Sequence, residues 1–250
     1  MKRIWNKFTD IFGLTIFHPQ FLMLNFNNEA VVAAQKYAHG QLVDIGCGRM
    51  PYRERIEPLV EKYIGVDHPE TSKLYKNSKF KPEIYADAEK LPIKNNSIDT
   101  VLMLQVLEYL KNPVNTFLET ERIMKPKAVL ILSIPFMYPI HDGNLDRNRY
   151  TPSAISEMIK DSKLKLIKIT IQGGFWDFWL QSFLVFYFKR AMEISRGKTY
   201  QKLFSIMLIL FGLSLTPCIN MLAILTDKIA TYLPKFENDF PINILLIAKK

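Results

Sequence analysis

The 250-residue sequence predicts an α/β fold, a mostly parallel β-sheet with helices on both faces. Three observations carry that expectation. Short apolar runs alternate with segments of helical period through the middle of the chain. One of these runs ends in a Gly-x-Gly turn, and the next ends in Asp. Beyond residue 174 the alternation gives way to an aromatic, apolar stretch before a last apolar run closes the chain.

The elements follow in order. Met1-Lys2-Arg3 resembles the opening of a signal peptide. Asn6, Lys7, Thr9 and Asp10 then interrupt any apolar core, and no small-residue cleavage site follows, so no leader is expected. Trp5, Phe8, Ile11/Phe12 and Ile16 recur at helical spacing, which predicts an amphipathic helix within an N-terminal helical region, residues 1–40. Residues 41–45 form a short apolar run into a glycine turn, hence a buried strand. Residues 52–62 read as a helix and 63–66 as a second strand ending at Asp67. A third strand covers 100–104, a helix about 113–124, and a β-rich run 128–134 stops at Pro135. Thr151 as N-cap with Pro152 at the first position predicts a helix over 152–161. Residues 164–171 alternate into Gly173-Gly174, and 242–248 make a last apolar strand. The core thus covers 41–174, a hydrophobic helical insertion 175–240, and the returning strand 241–250.

The insertion holds two helical segments joined by the polar turn Ser195-Arg196-Gly197-Lys198. Residues 175–194 are crowded with aromatics, and 203–225 carry no charge over 23 positions, long enough to span a bilayer. A single crossing would strand the last β-segment away from its sheet and leave both without ladder bonds. The expectation is therefore a helical hairpin lying on or dipping into the cytoplasmic leaflet, with Lys189, Arg190, Arg196, Lys198 and Lys202 near anionic headgroups. The alternative is a lid that buries this surface in the domain or in a dimer.

The net charge of +9 is placed unevenly. Residues 160–250 hold thirteen Lys/Arg against six Asp/Glu, leaving the first 159 residues nearly balanced. A basic region that is also apolar points to a membrane surface and not to nucleic acid. Two distant cysteines, Cys47 and Cys218, make no disulfide framework, and a reducing cytoplasm fits them. No Cys/His/Asp cluster has metal-ligand spacing, so no metal is expected.

Leu42-Val43-Asp44-Ile45-Gly46-Cys47-Gly48 is the strongest local motif. Its glycines let a ligand approach the backbone beside free N–H groups. Pro51 stands where the dinucleotide fingerprint needs a third glycine. Asp67 ends the next strand, nineteen residues after Gly48, where a carboxylate can accept both hydroxyls of a ribose. His68, beside it, reads as a loop residue near that nucleoside.

Ala86-Asp87-Ala88-Glu89-Lys90-Leu91-Pro92 and Asn96-Ser97-Ile98-Asp99-Thr100-Val101 come third. With them, residues 42–136 resemble class I S-adenosylmethionine-dependent methyltransferases of the type 11, ubiquinone-biosynthesis-like kind. The resemblance implies a Rossmann-like seven-stranded sheet and S-adenosyl-L-methionine as cofactor. It places Asp44, Gly46, Cys47 and Gly48 in the cofactor loop, Asp67 on the ribose, and Asp87 and Ala88 on the adenine. Gln105, opening Gln105-Val106-Leu107-Glu108-Tyr109, lies beside the methionine part. The chain departs from that pattern at Arg49-Met50-Pro51, where relatives often have a further glycine. It departs again at Lys127-Ala128 for a Gly-Gly, and at Tyr109 for a frequent His.

The run from His141 to Thr151 follows the fifth strand and should overhang the cofactor. It resembles a His-Asp-Arg-Tyr-Thr loop of methyltransferases from surface-polysaccharide and lipid-modification clusters. His141 is the candidate general base, Arg149 the candidate anchor for an anionic substrate group, and Tyr150 its neighbour in substrate binding. The competing reading is a structural cluster in which Asp146 pairs with Arg147 or Arg149 and Thr151 caps a helix. Alignment alone can supply most of the rate for a sulfonium donor. The expected activity is methyl transfer to a small or amphipathic acceptor: a lipid-linked sugar, a lipid or a quinone-like molecule. Its rivals are a nicotinamide-dependent oxidoreductase and a membrane-associated, non-enzymatic assembly factor.

Overall fold

The computed structural model describes residues 2–72, 78–230 and 240–250. Seven strands form one sheet: β1 (Gln41–Ile45), β2 (Lys62–Asp67), β3 (Ile84–Tyr85), β4 (Ile98–Leu104), β5 (Met124–Pro135), β6 (Lys165–Gln172) and β7 (Asn243–Lys249). Their order is β3-β2-β1-β4-β5-β7-β6. Strands β1 to β5 pair in parallel. Strand β7 lies antiparallel on β5, with Ile247 opposite Ile131. The expected seven-stranded, mostly parallel α/β sheet is the architecture found.

Side-chain alternation along the central strands feeds two apolar layers. Val101 and Met103 of β4, Leu130 and Leu132 of β5, and Ile244 and Leu246 of β7 point to one layer. Phe117 of helix α5 (Pro113–Ile123) and Ile155 and Ile159 of helix α6 (Pro152–Asp161) cover it. Leu102, Val129, Ile131, Leu245 and Ile247 point the other way. There they meet Ala30, Val31 and Ala34 of helix α2 (Phe21–Tyr37) and Ile56 of α3 (Arg53–Ile56). Both faces are closed, so the strands read as continuous apolar runs.

The helix expected over 52–62 is much shorter. It ends at Ile56 and passes into a 3₁₀ turn, Glu57–Leu59. Pro58 contributes to this, because it has no N–H to continue the helical ladder. Strand β2 accordingly starts at Lys62. Helix α6 begins as expected, with the Thr151 hydroxyl accepting the Ala154 N–H at 3.2 Å. Thr151→Ala should cost about 1 kcal/mol. That corresponds to a fall of roughly 2–4 °C in melting temperature, measurable by calorimetry.

The chain divides into two compact units. The sheet unit comprises residues 27–136, 140–171 and 243–250; the other comprises 1–26, 137–139 and 172–242. The second unit holds helix α1 (Lys2–Phe12), the start of α2, and the pair α7 (Phe175–Ile194) and α8 (Thr199–Ala230). The side chain of Trp5 and residues 231–239 of the expected insertion lie outside the described residues. Helices α7 and α8 form the expected antiparallel hairpin. The Tyr187 hydroxyl donates to the Leu208 carbonyl at 2.8 Å, and Ser205 Oγ to the Ala191 carbonyl at 2.6 Å. Asp177 in the first turn of α7 caps it by accepting the Gly174 N–H at 3.1 Å.

Candidate functional site

The site begins where β1 runs out. Gly46 and Cys47 both donate their N–H to the Val66 carbonyl, at 2.8 and 3.1 Å, which turns the chain across the end of β2. Gly46 adopts φ +70°, and a Cβ there would stand 2.4 Å from Val106 Cγ2. Val106 is branched at Cβ and cannot swing aside cheaply, so this turn demands glycine.

Asp67 closes the turn from β2. Its Oδ2 accepts the Gly48 N–H at 3.1 Å, and its Oδ1 accepts the His68 N–H at 2.7 Å and the Thr71 hydroxyl at 2.8 Å. Three protein donors fix a carboxylate that retains acceptor capacity on Oδ2. Asp87 bends the segment after β3, its Oδ1 accepting the Glu89 N–H at 2.9 Å. Gln105, the residue after β4, sits at φ +58°, a conformation uncommon outside glycine. Its amide donates to Ser133 Oγ at 2.9 Å and to Asn243 Oδ1 at 3.0 Å, which holds the strained position.

These residues surround one cavity of about 520 Å³. Gly46, Gly48, Asp67, His68, Asp87, Ala88 and Gln105 line it, together with Tyr109, Asp142 and Arg147. The volume suits a nucleoside-sized ligand. It opens beyond the C-terminal strand ends, where an α/β sheet binds ligands.

Asp44 and Cys47 stand behind this wall. The Tyr63 hydroxyl donates to Asp44 Oδ2 at 2.5 Å. Burial lifts the Asp44 carboxyl to about 7. Cys47 packs with Met50, Ile56 and Tyr63 in the second apolar layer, and burial raises its thiol above the ordinary range. A thiol held protonated in that way is a packing group.

The loop after β5 is organised around Asp146, whose side chain is 1% exposed. Arg149 grips it in a fork, at 2.5 Å to Oδ1 and 2.8 Å to Oδ2. The backbone N–H of His141 also donates to Oδ2 at 3.0 Å, and His141 Nδ1 lies 3.2 Å from the same oxygen. The guanidinium beside Asp146 holds its carboxyl below the usual range. Arg149 is thus engaged with Asp146, and Tyr150 is half-buried against the sheet core. Arg147, two residues earlier, is the arginine on the cavity wall.

His141 meets the cavity through an intermediary. Its Nε2 stands 2.9 Å from the hydroxyl of Tyr109, and Asp142 Oδ2 lies 3.0 Å from the same hydroxyl, whose single proton can go to either acceptor. The carboxylate at Nδ1 favours a proton there and leaves Nε2 to accept. Burial raises the Tyr109 phenol above its ordinary value, with the Glu108 and Asp142 carboxyls adding to the shift. Tyr109 therefore remains a neutral hydroxyl joining cavity to imidazole. The 32-residue separation hid this link; the only sequence signal was Tyr at a position where relatives often carry His.

Comparison with known proteins agrees with this geometry. Residues 43–132 match a family described as "Methyltransferase domain". A protein of Mycolicibacterium smegmatis named "Probable S-adenosylmethionine-dependent methyltransferase" is 25% identical over 105 residues, covering 41% of this chain and 40% of that one. A similarly named protein of Mycobacterium tuberculosis is 27% identical over 139 residues, covering 54% and 48%. The chain thus spans less than half the length of these two relatives. Among solved structures, an S-adenosylmethionine dependent methyltransferase from Mesorhizobium loti superposes with TM-score 0.53 at 12% identity, over 93% of this chain and 98% of that one. The cyclase SpnF gives TM-score 0.55 at 14% identity, over 91% and 80%. A cyclase and a methyltransferase on one fold show that the sheet alone fixes no reaction. The matched segment, 90 of the 250 residues, holds most of β1, all of β2 to β4 and most of β5, and this part of the sheet is similar to an S-adenosylmethionine-dependent methyltransferase domain.

Proposed function

We propose that the chain transfers a methyl group from S-adenosyl-L-methionine to a small or amphipathic acceptor. The observation that supports this best is one cavity lined by the Gly46–Gly48 turn, Asp67 and Asp87. Those residues suit the cofactor. Gly46 and Gly48 bring bare backbone to the cavity wall, Asp67 offers a fixed acceptor for ribose hydroxyls, and Asp87 with Ala88 borders the adenine side. Bound there, the cofactor supplies an electrophilic methyl group on a sulfonium.

The protein's own work is then to align the acceptor and to receive its proton. Tyr109 Oη takes the proton from an acceptor hydroxyl or amine while passing its own to His141 Nε2, and Asp146 stabilises the imidazolium. Arg147 on the cavity wall offers charge to an anionic group of the acceptor, a place first expected for Arg149. The exposed apolar helices of the same chain favour an amphipathic acceptor such as a lipid-linked sugar, a lipid or a quinone-like molecule.

Asp67→Ala tests the adenosine assignment. A charge-assisted hydrogen bond contributes roughly 1.5–3 kcal/mol, so affinity for S-adenosylmethionine should fall by about tenfold or more. Calorimetric titration reads this, with Asp67→Asn as a check that the loop around Gly48 and Thr71 survives. An unchanged dissociation constant for Asp67→Ala, or tighter binding of a nicotinamide dinucleotide by the native chain, would sink the reading.

A further inference from the structure

Helix α8 is built inside out, and α7 shares its open apolar face. The buried stripe of α8 is Ser205, Gly212, Thr216, Asn220 and Ala223, small or polar at every position. Its polar atoms are spent on backbone carbonyls. Ser205 Oγ reaches Ala191 at 2.6 Å, Thr216 Oγ1 reaches Gly212 at 2.8 Å, and Asn220 Nδ2 reaches Ile16 at 2.8 Å and His18 at 3.0 Å. Gly212 seats the Tyr187 and Phe188 rings, which a Cβ would strike at 2.4 and 3.0 Å. The opposite stripe is apolar and open: Leu203, Met207, Leu210, Met221 and Leu225 are 54–65% exposed. Helix α7 shares the open apolar face but not the whole pattern: Asp177 and Gln181 are buried in line with Leu184, Phe188 and Ala191, whereas Trp176, Trp179, Phe183 and Phe186 are 53–59% exposed.

A helix pair in water does the reverse, turning apolar residues in and polar residues out. Small residues at the helix contact, polar side chains tying helices together and large apolar side chains outside are the pattern of helices solvated by lipid. An open apolar face of this extent marks an interaction surface.

Charge decides the occupant. The end of the hairpin carries Lys189, Arg190, Arg196, Lys198 and Lys202, with Glu193 as the one acid between residues 189 and 202. Glu193 is already paired with Arg190 at 2.7 Å. A second copy of the chain would bring the same excess of positive charge, whereas anionic headgroups complement it. Length decides the mode. The chain leaves the sheet after β6 and returns to it as β7 on β5, so the number of crossings is even or zero. The uncharged part of α7, residues 178–188, spans roughly 16 Å at about 1.5 Å per residue, about half of a bilayer core.

We propose that the α7–α8 hairpin docks this protein on the cytoplasmic leaflet of an anionic membrane. Its open apolar faces enter the headgroup–acyl boundary, and its basic turn contacts lipid phosphates. The inference stands apart from the identity of the methyl acceptor.

Flotation of the full chain with vesicles of phosphatidylcholine, with and without phosphatidylglycerol, tests it. The protein should float with the anionic vesicles and bind the neutral ones about tenfold or more weakly, and added salt should narrow the gap. Brominated acyl chains should quench the fluorescence of Trp176 and Trp179. The combined change Lys189→Glu, Arg190→Glu, Lys198→Glu should remove the preference for anionic lipid. Met207→Glu with Leu210→Glu, both at open positions, should abolish flotation. Titration with S-adenosylmethionine on each variant shows that the sheet unit is intact and keeps loss of docking distinct from loss of the cofactor site. A native chain that is monodisperse without detergent and floats with neither vesicle overturns the proposal. A detergent-free dimer dissociated by Met207→Glu and Leu210→Glu assigns the face to a second copy and also overturns it.

Discussion

On the proposed activity, methyl transfer should slow by about 10²–10⁴-fold in both His141→Ala and Tyr109→Phe, with affinity for S-adenosylmethionine nearly unchanged. The reason lies in the chain of contacts from Tyr109 Oη to His141 Nε2 at 2.9 Å and from His141 Nδ1 to Asp146 at 3.2 Å. Removing the phenol's hydroxyl leaves the imidazole without access to the cavity. Removing the imidazole leaves the phenol on the Asp142 carboxylate alone, a weaker base than imidazole and not in line with Asp146. The two changes interrupt one path, so the double variant should be no slower than the worse single one. The measurement is transfer of label from S-adenosylmethionine into a lipid and glycan extract, with melting temperatures run alongside. A His141→Ala protein that melts normally and keeps full activity would remove the path and leave alignment as the main source of rate. A loss of activity matched by a large fall in melting temperature would make the cluster structural.

How far the sequence carried the argument depends on the range of the interactions involved. Elements punctuated by local chemistry were legible to the residue. Helix α6 starts at Pro152 because Thr151 caps it, and α7 starts at Phe175 because Gly174 and Asp177 close its first turn. One wall of the cavity was legible too, since Gly46, Gly48 and Asp67 sit at fixed offsets along consecutive β-strands. Elements without such signals were not. Strand β3 is two residues long and shows no period of its own. Helix α2 mixes Asn25, Asn27, Asn28 and Glu29 with its apolar residues, so no single stripe announces it. The irregular loop from His141 to Thr151 has no periodicity to say which arginine points where. Arg149 therefore stood for the cavity until the structure set it on Asp146 and Arg147 on the wall. The hairpin's two ends were read from its polar turn. Its inverted faces were not, because polarity alone does not tell which face meets a neighbour.

Glu108 should make the fold less stable as pH rises, and Glu108→Gln should abolish that contribution. The residue follows Leu107 in the turn after β4, with its side chain fully buried. Its carbonyl accepts the N–H groups of Arg147 and Asn148, both at 3.0 Å, so it cannot leave without loosening the loop that holds His141. Neither carboxyl oxygen has a hydrogen-bond partner among the described residues. Burial raises its pKa from 4.5 to about 8; Arg149 opposes the shift, and Asp146 and Asp142 add to it. The fold thus holds Glu108 as a neutral acid, while the unfolded chain ionises it near the ordinary value. Stability from this source is fully present below about pH 4.5, declines as pH rises, and is gone above about pH 8. Over that window the loss is on the order of 5 kcal/mol. Gln keeps the shape and carries no proton to lose. Denaturant unfolding should therefore find native and Glu108→Gln proteins equally stable near pH 4, with the variant ahead by several kcal/mol near pH 8. Asp44, raised to about 7 by its own burial, tilts both proteins equally and cancels in the difference. A difference between the two that stays flat from pH 4 to pH 8 would mean that Glu108 is ionised in the fold and paired by the loop. The carboxyl would then act as a fixed charge beside Arg149.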